Sequence, residues 1–328
     1  MRELRAAMIG AGNIASQHAA AIAATQGVTL VAACDIDFAR AQNLARSCGG
    51  RAYRGWEELL EREPVDVIWV CTPPMQHRAP AIAALERGIH VYLEKPIART
   101  LPDGLAIARA AARSDAVCSV GYQWHASELL AEARGALASR RVALLSGRNY
   151  GPVASRSWFL QSRSGGGQIL ERGSHQIDLQ RAIAGEIAAV EAIPGSVKIR
   201  GDSALAGDID DVLLLVFYFR NGALGTAAIA WSGPGQPGRF SLDIVAEDAS
   251  LWLELGPERF ALTGRAGAAD VDVICGEPLM RSVASFLEAA RSRSPARVPC
   301  GPDDAVRTLR VALACERALA GGRISVDE

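Results

Sequence analysis

Apolar and polar positions alternate in one repeating unit through the first third of the chain. Short apolar runs, suited to strands buried on both faces, lie at 5–9, 28–34, 65–71, 90–94 and 117–121. Between them, residues 14–25, 38–48, 76–87 and 102–113 carry the longer period of helices with one buried face. Gly27, Gly49 and Gly88 each follow one of these helices, where a left-handed cap favours a residue without a Cβ. Strands alternating with helices over short connections predict a doubly wound parallel sheet.

After Gly121 the rhythm changes. A helix over 127–137 leads into a strand at 142–148, and a further helix is expected to end near Gly185. The stretch DVLLLVFYFRNGALGTAAIAW then reads as two strands about an Asn221-Gly222 turn, a dipeptide that tolerates the positive φ of tight hairpins. RFSLDIVAEDASLWLEL reads as a second pair about residues 247–249. Hairpins in series imply an antiparallel or mixed sheet, hence a second domain of different architecture. Helices over 279–291 and 302–319 close the chain. The expected fold class is α/β with an added α+β domain: 1–121 for the parallel sheet and 122–328 for the rest, with the last helix able to pack back on the first domain.

Bulk properties narrow the function classes. A chain of 328 residues is long for one core and fits two domains. Its net charge of −1, without basic or acidic blocks, removes the electrostatic argument for nucleic acid or an anionic membrane surface. No uncharged apolar run reaches the roughly 18 residues that span a bilayer. MRELRAAMIGAG has too short an apolar stretch for a signal peptide, so a cytoplasmic location is expected. The seven cysteines are odd in number, show no CxxC pair and lie partly in apolar runs, as small hydrophobes do. His, Cys and carboxylates do not recur at metal-ligand spacing, so no metal is expected.

The segment MIGAGNIA places Gly10, Gly12 and Ala15 between the first strand and the first helix. In such a pattern Gly10 allows the tight turn, Gly12 lets the backbone approach a pyrophosphate, and a small third residue permits close helix–strand contact. Asn13 and Ile14 open the helix whose N–H groups and positive dipole end meet phosphates. Asp35 follows Ala15 by twenty residues at the end of the second strand, where a carboxylate hydrogen-bonds the ribose hydroxyls of NAD. Its charge and that of Asp37 repel a 2′-phosphate, favouring NAD over NADP, while Arg40 is the cation that could reach such a phosphate.

Two further motifs, VCTPPMQH and HVYLEKP, end strands at the carboxyl edge of the sheet, where open α/β folds bind ligands. Cys71, Thr72, Pro73 and His77 from the first, with Glu94 and Lys95 from the second, are candidate cofactor residues. The paired prolines stiffen their loop, and His77 and His90 also suit structural roles. Lys95, fixed by the proline after it, is either a pre-positioned cation near the nicotinamide or a strand-end surface lysine.

GGGQILERGSHQID, residues 165–178, brings Glu171, His175 and Asp178 within about 60° of one another on a helix. They form either one wall of a pocket or a surface pattern in which Glu171 pairs with His175 and Asp178 with Arg181 or Arg172. The glycines allow a close backbone approach to substrate or a mobile lead-in. Trp158 and Phe159 before them either stack on a sugar face or fill core.

In their order and spacing, GAGNIA, CTPP, HVYLEKP and GGGQILERGSHQID resemble the glucose–fructose oxidoreductase/inositol dehydrogenase/MocA family over essentially the whole chain. The resemblance implies an NAD(P)-binding Rossmann domain followed by an open-faced sheet domain that builds homodimers or homotetramers. It implies oxidation or reduction of a secondary hydroxyl or ketone on a sugar, inositol or related polyol. Lys95 then matches the active-site lysine and His175 the acid/base. Glu171 stands where inositol-type members carry Asp, and Asp178 matches their further carboxylate. In GYQWHAS, Trp124 and His125 follow Gln123 where many members have an arginine, so Gln123, Trp158 and Glu171 are candidate substrate contacts beside Lys95 and His175.

Hydride transfer from a carbinol needs a base for the hydroxyl proton, and imidazole titrates close to neutrality. His175 is expected to take that proton while Lys95 stabilises developing alkoxide character. Glu171 and Asp178 would orient the imidazole or hold neighbouring hydroxyls. An NAD-dependent glycosidase of the same scaffold, releasing aglycone without net NADH, and a non-enzymatic dinucleotide-sensing regulator are the rival readings.

Overall fold

A computed structural model describes residues 3–154, 157–199, 207–231, 238–256 and 259–327. It divides into two compact units, Met1–Ala126 with Pro278–Val306, and Ser127–Glu277 with Arg307–Glu328.

The first unit is built on six parallel strands: β1 (Leu4–Ile9), β2 (Val28–Cys34), β3 (Arg51–Tyr53), β4 (Val67–Val70), β5 (His90–Leu93) and β6 (Cys118–Val120). Their order, β3-β2-β1-β4-β5-β6, reverses direction between β1 and β4, where such sheets open a crevice for ligand. Helices α1 (Asn13–Ala23), α2 (Phe38–Cys48), α3 (Trp56–Arg62), α4 (Arg78–Glu86) and α5 (Leu101–Arg113) make the crossovers. The expected parallel sheet is thus present, and Gly49 takes the left-handed cap of α2 at φ 71°. β3 and α3 escaped the sequence pattern because β3 has three residues and a single buried one.

The second unit opens with α6 (Glu128–Leu137), β7 (Val142–Tyr150), α7 (Ser162–Gly165) and α8 (Ser174–Ala184). Seven strands follow: β8 (Ile187–Gly195), β9 (Val212–Phe219), β10 (Leu224–Ala230), β11 (Arg239–Ala246), β12 (Ala249–Leu255), β13 (Phe260–Ala266) and β14 (Ala269–Ile274). After α9 (Pro278–Ser292) and α10 (Pro302–Ala318), β15 (Ile324–Ser325) adds an edge. The sheet runs β14-β13-β12-β11-β7-β10-β9-β8-β15, antiparallel except where β10 lies parallel to β7. Both expected hairpins form. Gly222 has φ 90°, and Asn221 accepts from the Ala223 N–H while donating to the Ala184 carbonyl, tying the turn to the end of α8. The β13–β14 hairpin went unread because β14 is an edge strand with no buried residue.

α8 covers one sheet face. The opposite face carries Leu144, Leu214, Leu224 and Val245, each about two-fifths exposed. In the first unit, α9 returns from the far end of the sequence to complete the core: Phe286 sets its ring edge against Trp69 and Tyr92, with centroids 5.3 and 5.5 Å apart. Among the described residues, no helix is long and apolar enough to cross a membrane.

Candidate active site

The turn after β1 is shaped by what it touches. Gly10 has φ 88°, and a Cβ there would lie 2.8 Å from both the carbonyl carbon and the oxygen of Cys71. Its N–H donates to the Cys34 carbonyl (2.8 Å), binding the turn to β2. Gly12 caps α1 in extended conformation with no side-chain cap, and the first turn contains no acidic residue. The positive end of α1 is therefore presented to an anion by backbone alone, as a pyrophosphate site requires. Ala15 is fully buried against the sheet.

Asp35 holds the turn after β1. One oxygen accepts from the Ala11 N–H (2.7 Å) and the other from the Asp37 N–H (2.9 Å), so the carboxylate pins the glycine turn. Arg40, the cation that could receive a 2′-phosphate, pairs with Asp37 at 3.2 Å. At the end of β4, burial first and the Glu94 charge second push the Cys71 thiol well above its ordinary range, so it stays protonated. The Thr72 hydroxyl is buried and, among the described residues, has no hydrogen-bond partner. A buried polar atom of this kind at the crevice edge fits a bound polar group. His77 has no exposed surface: its ring nitrogens lie 2.8 Å from the Thr72 carbonyl and 3.3 Å from that of Ile97, joining the loops that follow β4 and β5. Burial lowers its pKa, which keeps the ring neutral there. His90 accepts the Val117 N–H, a structural role.

Lys95 begins the loop after β5 and is half-buried. The chain contains only two lysines, Lys95 and Lys198, among 35 basic residues. Glu94, buried before it, receives the Lys95 N–H (3.1 Å) on one oxygen and lies 2.7 Å from His18 Nε2 with the other. Burial pushes Glu94 upward, but the His18 hydrogen bond, with the Lys95 charge and N–H, outweighs it and holds the carboxyl below its usual value. Sequence reasoning passed over His18. The signal that could have found it is a polar residue on the buried face of α1, beside Ala15, Ala21 and Ile22.

In the second unit, the glycines of 165–167 are all buried. Gly166 caps α7 in the left-handed region at φ 68°, Gly167 follows at φ 59°, and a Cβ on Gly165 would meet the Trp158 carbonyl at 2.7 Å. They make a packed reversal of the chain. Trp158 stacks on Phe159 at 3.7 Å, and Phe159 packs on the cluster of Leu160, Ile199, Ile209 and Trp231.

Residues Ile169–Gly173 form a π-helical turn before α8. Wider i→i+5 bonding shifts Glu171 around the axis relative to the unbroken helix assumed from spacing, and such turns gather at functional sites. Beyond it, Gln176 donates to the carbonyls of Arg148 and Ser241 (both 3.1 Å), and Gln180 to that of Thr226 (2.9 Å). Gly147 and Gly225 make this possible, since a Cβ on either would collide with the Gln176 or Gln180 amide oxygen. The helix register that carries His175 is thereby fixed to the sheet backbone.

Glu171 and His175 are half-buried and Asp178 is fully buried. Asp178 lies in the interior rather than in a surface pattern. Thr308 of α10 donates to Asp178 (3.0 Å) and accepts from Arg181 (2.7 Å), while Arg181 makes a two-pronged bond to Glu186 (3.0 and 2.8 Å). Arg172 donates to Asn149 at 2.9 Å. Thr308 could not be read from spacing, because it lies 130 residues from its partner. Gln123 is half-buried, whereas Trp124 is core.

Residues 4–122 match the model of an oxidoreductase family with an NAD-binding Rossmann fold, and residues 131–252 match the GFO/IDH/MocA C-terminal domain. The chain belongs to the Gfo/Idh/MocA oxidoreductases. As a member of that family it is an NAD(P)-dependent dehydrogenase or reductase, with NAD as cofactor. Among curated relatives, levoglucosan dehydrogenase of Pseudarthrobacter phenanthrenivorans is 26% identical over 60% of this chain and 57% of its own length. Myo-inositol 2-dehydrogenase of Thermotoga maritima is 28% identical over 68% of this chain and 67% of its own. A solved levoglucosan dehydrogenase with NADH and levoglucosan superposes with a TM-score of 0.87 at 20% identity, covering both chains in full, and so shares the fold.

Proposed function

We propose that this Gfo/Idh/MocA enzyme moves hydride between NAD and a secondary hydroxyl or ketone of a sugar, inositol or related polyol. The observation that carries the reading is Lys95: one of two lysines in an arginine-rich chain, at the carboxyl edge of the nucleotide sheet with a buried carboxylate against its own N–H. Gly10, Gly12, Asn13 and Ile14 would hold the pyrophosphate, Asp35 the ribose, and Cys71, Thr72, Pro73, Glu94 and Lys95 the nicotinamide end. The bound nicotinamide supplies the hydride acceptor or donor. His175 takes or returns the carbinol proton, and Lys95 steadies the charge that grows on the same oxygen. Glu171 and Asp178 orient the imidazole or hold neighbouring hydroxyls, with Gln123 and Trp158 as further substrate contacts.

Two relatives named for levoglucosan and myo-inositol support a cyclic polyhydroxylated substrate. The test is NADH production from levoglucosan, the inositols and a panel of sugars, with NADP in parallel. Turnover that is lost in both Lys95→Ala and His175→Ala is the expected result. Unchanged hydride transfer in both variants, or turnover with NADP alone, overturns the reading. We further propose homo-oligomers built through the uncovered sheet face, because a single chain leaves four large apolar residues open there. Light scattering of Leu144→Asp should then report a smaller species than the parent.

A further inference from the structure

His18 is fully buried on α1, a face otherwise made of Ala15, Ala21 and Ile22. Its imidazole meets Tyr92 edge-on at 4.9 Å and lies tilted 6.5 Å from Trp69, so the ring plane is set by packing. The nitrogen that is not bonded to Glu94, Nδ1, is buried and has no hydrogen-bond partner among the described residues. Nε2 therefore carries the hydrogen and donates to the ionised Glu94. Room for that carboxylate is kept by Gly121, whose Cβ would stand 3.1 Å from Glu94 Oε1. A buried acid and a buried imidazole are each costly alone and tolerated together. Their joint product is a carboxylate clamped between the phosphate-binding helix and the N–H of Lys95.

We propose that His18 is a positioning residue for Lys95, acting through Glu94. It donates to one carboxylate oxygen and so fixes the other on the Lys95 N–H, with the negative charge held beside the lysine. The proposal rests on reading Lys95 as an active-site group, and its test separates the two claims. Because only two lysines exist, a protein labelled with 13C at lysine Cε gives two lysine signals, and Lys198→Arg assigns them.

In His18→Ala the Lys95 signal should move while that of Lys198 stays. His18→Gln, whose amide N–H reaches a similar point, should return it. With levoglucosan or myo-inositol, whichever turns over, kcat in His18→Ala should fall on the order of tenfold to hundredfold. KM and NADH affinity should change by less than about threefold, with rescue by His18→Gln. A Lys95 signal that superposes on wild type in His18→Ala overturns the proposal. Should that variant fail to fold, Glu94→Gln keeps the shape, and an unmoved Lys95 signal there overturns it equally. Movement of the signal in an enzyme whose turnover survives Lys95→Ala leaves the positioning role standing and removes the catalytic reading of Lys95.

Discussion

Thr308→Val is the sharpest probe of the buried polar chain behind His175. The substitution keeps the side-chain shape and removes the hydroxyl that donates to Asp178 at 3.0 Å and accepts from Arg181 at 2.7 Å. A hydrogen bond to a charged partner contributes about 1.5–3 kcal/mol. Arg181 keeps its two bonds to Glu186, so its loss is partly offset. Asp178, fully buried, loses a donor without gaining water. The expected cost is therefore near the lower bound for two such bonds, about 3 kcal/mol. At roughly 2.1 cal/mol/K per residue, that lowers Tm by about 4 °C if the whole chain unfolds together and about 8 °C if its second unit melts alone. Scanning calorimetry of Thr308→Val against Thr308→Ser measures it. The serine variant keeps the hydroxyl and should lie much closer to wild type. A valine variant within about 0.5 kcal/mol of wild type would refute the account of Asp178.

Gly10→Ala should destabilise by about 2 kcal/mol, since φ is 88° and the new methyl meets the Cys71 carbonyl; NADH affinity, read by fluorescence titration, should fall at least about tenfold. Gly147→Ala should lower Tm through its collision with the Gln176 amide, and pairing it with Gln176→Ala should recover part of the loss, as a double-mutant cycle would show. Glu94 titrates below its usual value of 4.5, so its contribution to stability is complete above that pH and is lost as pH falls through the lower folded value. Glu94→Gln should flatten this acid limb in a series of melts, and an unchanged limb would contradict the His18–Glu94 bond.

The local order of the chain was legible because it depends on neighbours. Period and apolar runs marked the strands of the parallel sheet, α2 matched at both ends, and Asn221-Gly222 turned where a positive φ was available. Gly10, Asp35 and Lys95 could be named because their motif partners lie within a few residues or one strand–helix unit. Less legible was whatever depends on a partner far along the chain. Phe286 completes the core beneath Trp69 and Tyr92 from a helix that periodicity shows only to be amphipathic. Thr308 bonds both Asp178 and Arg181 from α10, and Gly147 and Gly225 are small to admit glutamines from α8.

The segment 165–178 divides along the same line. Its residue types alone left a surface pattern and acid–base chemistry both open, and the nucleotide motif and Lys95 elsewhere in the chain pointed to the second. The π-helical turn, the buried glycine reversal and the pinning of Gln176 were decided by tertiary packing. Sequence thus determined the class of fold, the family and the candidate chemical groups, since short-range pattern encodes all three. Only the folded chain could bring His18 onto Glu94, since the two lie 76 residues apart and meet only when α1 and the end of β5 are held by one sheet.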